Sequence, residues 1–331
     1  MLSAETVLKF ADSSNIRWFS AAEAEKLAEQ VRKRNVFARH SWENNFYIQR
    51  VRGLADHTVI EVFRPGDPKG MSNEAERVAS TLEKLTILSS TTILGKVHLQ
   101  RKLGISSQPR TETDFVSSQD FHFLSSRARP SPPVAGIRID EAFRRRFSRC
   151  GFDILADYVQ LNTEISKRVL LSLNWLFDSR IEPRIPASVV KTSIALESLL
   201  IFSESESLAQ SLAERAAFIL SPNPNRRQQI SRILKRFYDA RSGIVHGSQR
   251  KAAKLTVSLL ETVDRLAVLL CLIVAANSKL WITTEVLREW CEMQRWGAPS
   301  SEIKIPFPDT YLRNALALGQ KEIERKGEKA G

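Results

Sequence analysis

The sequence predicts an α+β protein in which an all-α helical bundle follows a mixed α/β amino-terminal domain. Helical periodicity runs almost without a break from Tyr158 to Leu280. The first 150 residues instead alternate helix-start signals, turns containing Pro or Gly, and short runs of β-branched and aromatic residues. At 331 residues the chain has room for two domains of ordinary size. We therefore predict a mixed domain over 1–150, a bundle over 151–295 and a carboxy-terminal extension over 296–331.

The mixed domain begins with a predicted helix and a predicted pair of strands. Ser20 and Glu23 form a capping box, in which side chains accept hydrogen bonds from the free N–H groups of a helix start, and the helix continues to Arg34. The runs 46–51 and 58–63 are rich in β-branched and aromatic residues, and turn-forming residues separate them. They predict two strands joined as a hairpin.

A second helix and a connector complete the mixed domain. Asn73 and Glu76 repeat the helix-start pattern. The stretch near 104–134 is rich in Ser and Pro, and Pro lacks the N–H that a helix or a central strand needs. We interpret this stretch as a connector with room for short edge strands. The domain as a whole is expected to be an accessory or sensing module that responds to a trigger or positions a substrate.

The bundle is predicted to contain four or five helices of about 15–30 residues joined by short loops. Its periodicity is interrupted at four places: 181–186, 203–207, 221–224 and 247–248. The apolar helix from Leu255 to Ala276 suits either the core of the bundle or a dimer face. A last helix is predicted near Thr283 to Met293, and the extension is expected to end in a disordered charged tail.

Composition excludes several classes of protein. The three cysteines are scattered and form no C-x-x-C pair, so neither a disulfide framework nor a zinc site is expected, and the cytoplasm is the simplest compartment. The longest uncharged apolar run, Leu266 to Ala276, has 11 residues, whereas roughly 20 are needed to span a bilayer. No phosphate-binding glycine loop, dinucleotide fingerprint or H-E-x-x-H is present. We therefore expect no membrane association, no metal and no cofactor.

Three ionisable residues interrupt the apolar rows of the bundle helices. Glu197 replaces an apolar residue in one row, Arg215 in a second and Arg241 in a third. Because burying an unpaired charge is costly, such residues pair with one another or line an opening to water. One interpretation is an ion pair between Glu197 and Arg215 that fixes the helix register. The other places these residues in a functional cleft, and for Arg241 its neighbours favour this second interpretation.

The neighbours of Arg241 include a histidine and much of the excess positive charge. His246 follows five residues later and precedes Gly247, a natural left-handed helix cap. Gly243 loosens the last turn, which lets Arg241 reach toward the imidazole. From 221 to 254 nine residues are basic and one is acidic, which gives +8 of the net charge of +12. A polyanion is the partner that this charge favours.

The bundle sequence resembles the HEPN superfamily, and specifically its Apea-like branch. The resemblance rests on three blocks in a fixed order: Ala195 to Leu200, Leu212 to Ala217, and Tyr238 to Gly247, which contains an R-x-x-x-x-H string. It extends over roughly Tyr158 to Leu280. The resemblance implies a helical bundle that dimerises and so brings two such strings into one cleft. In active members of the family this cleft is a metal-independent endoribonuclease.

Carried onto this sequence, the resemblance makes Arg241 and His246 the catalytic pair. RNA supplies its own nucleophile, the 2′-hydroxyl, so the enzyme has only to move protons and to stabilise the phosphorane. His246 then acts as general base or acid, and Arg241 holds the phosphoryl oxygens through its planar fork. Supporting roles are expected for Ser242, Glu197 and Arg215. Substrate contacts are expected from the surrounding basic residues: Arg232, Lys235, Arg236, Arg250 and Lys251.

The resemblance also implies a biological setting. It points to single-stranded RNA as substrate, to a homodimer, and to a toxin or phage-defence effector with an antitoxin or a defence partner. Ser242 departs from the family, since many nuclease members carry Asn, Asp or His after the arginine, and it either orients the histidine or contacts phosphate, or faces solvent. The alternative function is therefore a non-catalytic HEPN module that binds RNA, a nucleotide or a protein partner.

Overall fold

The structure is a computed structural model that divides into two compact units. It describes four short strands, the helical residues within 77–92 apart from 79, 83 and 91, and the chain over 141–203, 207–297 and 303–327. The first unit consists of Met1–Glu83 with Ile105–Phe147, and the second of Lys84–Gly104 with Ser148–Gly331.

The predicted α+β class is wrong. Of the residues for which the structure describes side-chain burial, 78% are helical and none lies in a strand. The strands outside that set form two separate two-stranded pairs. A two-stranded pair is too small to bury a core by itself, whereas larger sheets can do so. The interpretable part of the protein is therefore all-α.

The first pair of strands only partly matches the predicted hairpin. Strand β1, Ile16–Phe19, lies antiparallel to β2, Val59–Val62, with Arg17 opposite Glu61. β2 falls inside the predicted strand at 58–63, but its partner comes from much earlier in the chain. The other predicted strand, at 46–51, lies outside the described residues, as does the helix predicted after Ser20.

The second pair of strands occupies the stretch that the sequence predicted as a connector. Strand β3, Arg110–Ser117, pairs antiparallel with β4, Phe123–Ser131, in which Pro130 lies opposite Thr111. A two-stranded pair consists only of edge strands, and an edge strand tolerates the missing N–H of Pro. The abundance of Pro therefore argued against a central strand but not against this one.

Ten helices are described in full. In chain order they are α1 Glu141–Arg149, α2 Phe152–Tyr158, α3 Glu164–Ile181, α4 Ile185–Leu200, α5 Leu208–Leu220, α6 Pro224–Val245, α7 Gln249–Ala252, α8 Val257–Ala276, α9 Thr284–Arg295 and α10 Asp309–Gly327.

The four predicted breaks in the bundle coincide with observed helix ends. Pro186 lies in the first turn of α4, where its missing N–H costs nothing. Asn223 caps the start of α6 by accepting hydrogen bonds from the N–H groups of residues 225 and 226. Gly247 follows α6 with φ of 72°, which is the left-handed cap that the sequence predicted.

Helix α8 is the centre of the second unit. Every residue from Leu266 to Ala275 is buried, and α8 packs against α2, α3, α4, α5, α6 and α10. A helix that is apolar all round belongs in an interior. Core packing thus accounts for the apolar part of this helix, which the same chain covers. None of the described helices is long and apolar enough to cross a lipid bilayer.

The carboxy-terminal extension contributes a helix that the sequence did not predict. α10 buries Leu312, Ala315 and Leu316 and packs on α8, where the Ser258 hydroxyl donates to the Leu318 carbonyl at 2.9 Å. The helix continues to Gly327, through the first part of the tail that was expected to be disordered. Helix α10 is therefore part of the second unit's core.

A buried chain of polar side chains joins α3, α4 and α8. The Arg180 guanidinium lies 3.2 Å from the Asp264 carboxylate, and the Thr192 hydroxyl donates to Asp264 at 2.6 Å. The Ser179 hydroxyl lies 2.7 Å from both the Thr192 and the Ser188 hydroxyls. Because buried polar groups need partners, these contacts fix the three helices in one register.

Candidate nucleic-acid interface

The last turns of α4 and α6 bring Glu197 and Arg241 together. Arg241 Nη2 lies 3.6 Å from Glu197 Oε1, and Arg241 Nε donates to Ser193 Oγ at 3.4 Å. The Tyr238 hydroxyl donates to Glu197 Oε1 at 3.2 Å. The Arg241 and Glu197 side chains are 24% and 22% exposed. This group of four, which we call the Glu197 cluster, therefore lies at the edge of the core, within reach of water.

Burial shifts the titration of two members of the Glu197 cluster. It raises the pKa of the Glu197 carboxyl, and the Arg241 charge and the Tyr238 hydrogen bond only partly oppose this shift. Burial, together with the nearby Glu197 carboxylate, raises the pKa of Tyr238 well above its usual value. Tyr238 is therefore a hydrogen-bond donor at neutral pH, and Glu197 is easier to protonate than an exposed glutamate.

The predicted ion pair between Glu197 and Arg215 is absent, since Glu197 pairs with Arg241. Arg215 is 5% exposed; its Nη1 donates to the Leu200 carbonyl at 2.7 Å, and its guanidinium lies 4.7 Å from the centre of the Phe202 ring. The last carbonyls of a helix lack partners within the helix and attract positive charge. Arg215 therefore stabilises the end of α4, the helix that carries Glu197.

A second arginine acts at the same end of α4. Arg168 of α3 donates from Nη1 to the carbonyls of Ser198 and Ile201, each at 2.9 Å, and its guanidinium lies 5.4 Å from the centre of the Phe202 ring. Arg168 was not predicted as a site residue. Its partners lie about 30 positions away in the sequence, so no local pattern indicates them.

His246 forms the carboxy-terminal cap of α6 and is exposed. Its N–H donates to the Ser242 carbonyl at 3.0 Å, and the Ser248 N–H donates to the Gly243 carbonyl at 2.8 Å, a bond typical of a left-handed cap. Within the described residues the imidazole makes no hydrogen bond. Arg241 was expected to reach toward it, but its guanidinium contacts Glu197 and Ser193 instead.

Gly243 allows α7 to pack directly on the last turn of α6. A Cβ at Gly243 would lie 2.3 Å from the Ala252 backbone N and 2.6 Å from the Lys251 Cβ. The helix continues through Gly243 to Val245, so the glycine serves close packing here and does not loosen the helix as predicted. The contact fixes Arg250 and Lys251 beside the end of α6.

Eight of the nine basic residues of 221–254 separate into two groups, and the ninth, Arg227, donates to the Ser221 carbonyl and to Gln294. Three of them have acidic partners: Arg226 with Asp309, Arg241 with Glu197, and Lys254 with Asp239. The five predicted substrate contacts form no ion pair with any described acidic residue, and each is exposed or half-exposed. We call these five the basic face: Arg232, Lys235, Arg236, Arg250 and Lys251.

Arg241 does not belong to the basic face. At about 100° per residue, Arg241 lies roughly 180° around α6 from Arg232, on the side that buries Ile230, Leu234 and Phe237. Gly243, which carries α7, lies about 20° from Arg232. The basic face therefore continues from α6 onto α7, and Arg241 approaches the end of the helix from the opposite side.

Ser193 and Tyr238 were missed by the sequence interpretation, although their spacing could have indicated them. Ser193 is four residues before Glu197, and Tyr238 is three before Arg241, so each shares a helix face with its partner. Ser242, a predicted supporting residue, is half-buried, and its side chain makes no hydrogen bond to a described residue.

The other reactive side chains of the second unit do not form a site. Cys150, Cys271 and Cys291 are free and buried, and burial raises the pKa of each thiol, to about 12 for the latter two. A thiol with such a pKa is a poor nucleophile at neutral pH. Within the described ranges, no group of three potential metal ligands is close enough to hold an ion.

No family model matches this chain, and neither a curated protein nor a solved structure matches it. An exposed imidazole can donate or accept a proton, an arginine can hold phosphoryl oxygens, and a row of cations can bind a phosphate backbone.

Proposed function

We propose that the protein is a metal-independent endoribonuclease of the HEPN type that acts on single-stranded RNA. The observation that carries this proposal is an exposed His246 beside the five cations of the basic face, none of which pairs with a described acidic residue. Unpaired cations arranged along two consecutive helices fit a polyanion better than a small neutral ligand. The exposed imidazole lies where a bound strand can reach it.

The proposed reaction requires two proton transfers and stabilisation of the negative charge on the phosphorane. The 2′-hydroxyl attacks the adjacent phosphorus as a base removes its proton, and the P–O5′ bond breaks as an acid protonates the leaving oxygen. His246 takes one of these roles and Arg241 holds the phosphoryl oxygens. Because one histidine cannot be acid and base in the same step, a homodimer supplies the second imidazole. In this proposal the Glu197 cluster orients Arg241, and Arg215 secures α4 beneath it.

The proposal extends to the protein's biological role. An RNase that needs no metal and carries its own basic face suits a toxin or phage-defence effector in the cytoplasm, restrained by an antitoxin or a defence partner. The first unit then provides the sensing or substrate-positioning function.

A specific observation favours a second candidate, a HEPN module that binds RNA, a nucleotide or a protein partner without cleavage. Arg241 is engaged by Glu197 and Ser193 within the bundle, at 3.6 and 3.4 Å, and is not directed at His246. Ser242 follows it in place of the residues that many active members carry. In this case the basic face binds the partner molecule, and His246 is not required for that binding.

The two candidates are separated by an RNase assay on the purified chain in EDTA with labelled single-stranded RNA. His246→Ala is expected to reduce the cleavage rate by about 100-fold or more, the size of a general acid–base contribution. Gln249→Ala, at an exposed neighbour on α7, is the matched control and is expected to cleave like wild type. Circular dichroism checks that both variants are folded.

Three other outcomes have definite meanings. Equal cleavage by His246→Ala and wild type overturns the assigned site. Binding without cleavage, weakening steeply as salt rises, supports the non-catalytic candidate, since each phosphate contact released by salt costs affinity. Binding that does not depend on salt contradicts RNA binding in both candidates and favours a protein-interaction scaffold.

A further inference from the structure

A groove of about 310 Å³ lies between α5 and α6, beyond the residues assigned to catalysis. Ala217 and Phe218 of α5 provide apolar lining, and Gln228, Ser231 and Arg232 of α6 provide polar lining. The volume lies at the lower end of the range of small-ligand sites, which typically combine apolar walls with a few polar groups. The groove can therefore hold a group of about the size of one nucleotide.

The aromatic side of the groove is fixed in place by Arg227. Arg227 Nε donates to the Ser221 carbonyl at 2.7 Å and Nη2 donates to Gln294 at 3.3 Å. Its guanidinium lies 5.1 Å from the centre of the half-buried Phe218 ring. A ring and a guanidinium held together offer a flat surface of the kind that nucleobases contact in single-stranded complexes.

The polar side of the groove is unoccupied by protein partners. The side chains of Gln228, Ser231 and Arg232 make no hydrogen bond or ion pair to a described residue, and Gln228 and Arg232 are exposed. Glu214, an acidic residue of the lining, accepts a hydrogen bond from Arg295 at 2.5 Å. Arg295 also pairs with Glu292 and so only partly offsets the Glu214 charge, but Arg227 and Arg232 leave the lining with a net positive charge.

We propose that this groove binds one nucleotide of a single-stranded RNA. The base packs against Phe218, Gln228 and Ser231 hydrogen-bond to its edge, and Arg232 contacts its phosphate. Arg232 is also the first residue of the basic face, so a strand seated in the groove continues along α6. From Ser231 to His246 the helix rises by about 22 Å, which is about six nucleotides of a stacked strand at ~3.4 Å each. The strand's course to His246 rests on the proposed function, whereas base binding by the groove does not.

The test is fluorescence anisotropy with two fluorescein-labelled 12-nucleotide RNAs, an oligouridylate and a fully abasic strand of equal charge. The chain carries His246→Ala so that the probe stays intact. We expect the oligouridylate to bind about tenfold or more tightly than the abasic strand, in line with the loss of a stacked base. Phe218→Leu and Gln228→Ala are expected to remove most of this difference while leaving abasic binding unchanged. Trp296→Ala, an 83% exposed aromatic outside the groove, is the control.

Each result decides for or against the groove. If the two groove variants bind the oligouridylate as tightly as the Trp296→Ala control does, the inference is overturned. RNA cleavage by the unmodified chain, measured separately, keeps the two proposals distinct. If the chain cleaves RNA but its base-dependent binding is unchanged in Phe218→Leu, only the groove proposal is overturned. If binding depends on the bases but no cleavage occurs, the groove proposal is supported and only the nuclease proposal is overturned. Should Phe218→Leu fail to fold, Gln228→Ala at its exposed position, together with Ser231→Ala, decides the question.

Discussion

A single carboxylate determines where Arg241 points. Glu197 accepts from Tyr238 and pairs with Arg241 at a distance of 3.6 Å, with about a quarter of each charged side chain exposed. A partly exposed ion pair of this length contributes at most about 1 kcal/mol to stability. Its effect is therefore orientation: it keeps the guanidinium at the end of α6, beside the Ser193 hydroxyl.

Replacing Glu197 by Gln tests this positioning role. Gln keeps the size of the side chain and an acceptor for Tyr238 but removes the charge that holds Arg241. We expect cleavage to slow by about tenfold, and the free energy of unfolding to change by less than about 1 kcal/mol. Single-turnover cleavage and urea unfolding measure the two effects.

The pH profile of the Glu197 variant provides a second readout. Burial raises the pKa of Glu197 above the usual 4.5, so in the wild type the charge pairing is present above this raised pKa and is lost as the pH falls through it. On acidification, the wild-type cleavage rate should therefore begin to fall at a higher pH than it would if Glu197 had the pKa of an exposed glutamate. A decline of the same shape in Glu197→Gln contradicts the positioning role.

At the scale of the structural elements, the junction of α6 and α7 has one feature that the sequence could predict and one that it could not. The end of α6 could be predicted because Gly247 acts locally, through its own φ of 72°. The packing role of Gly243 could not be predicted, because it depends on Ala252. This residue lies beyond the cap in the sequence and contacts α6 only through the packing of α7. Similarly, the sequence predicted breaks on either side of α4, at 181–186 and 203–207, but the buried face of this helix passes through Val189, Leu196 and Leu199 and leaves Glu197 at the edge.

Gly243→Ala measures the α6–α7 contact. In an open helix this change stabilises by about 1 kcal/mol because Ala has the higher helix propensity. Here the added Cβ meets the Ala252 backbone N at 2.3 Å, so we expect instead a loss of about 1–3 kcal/mol, as in other overpacked sites. Displacement of α7 should also weaken RNA binding, because Arg250 and Lys251 move with it. A higher urea midpoint than wild type contradicts the close contact, which CD-monitored unfolding detects.

At the scale of the whole molecule, a buried ion pair links helices that are distant in sequence. Asp264 is 1% exposed within the most apolar helix of the second unit, and its partner Arg180 is 8% exposed. The apolar run around α8 suited either a core helix or a dimer face, but it gave no reason to single out Asp264, whose partners lie on α3 and α4. The fold class failed for a related reason: local β preference at 58–63 predicts a strand but not the size of its sheet, which has only two strands among the described residues.

A double-mutant comparison tests the buried pair. Asp264→Ala leaves the Arg180 guanidinium buried without its carboxylate and should lower the free energy of unfolding by about 3–5 kcal/mol. Arg180→Met with Asp264→Leu replaces both charges with apolar groups and is expected to recover most of that loss. Urea denaturation gives all the values. A double variant as unstable as Asp264→Ala shows that the hydroxyls of Thr192 and Ser179, and not the ion pair, hold the three helices together.

The position of α8 between its neighbours has a consequence for synthesis. The helices before it in the chain can pack on it as soon as it leaves the ribosome, but α10, whose Leu318 carbonyl accepts from Ser258, is translated later. Until residues 309–319 emerge, one side of the core helix faces water. Transiently exposed apolar surface promotes association between nascent chains. The interval between the emergence of these two helices is therefore the period in which this side of α8 is open to such association.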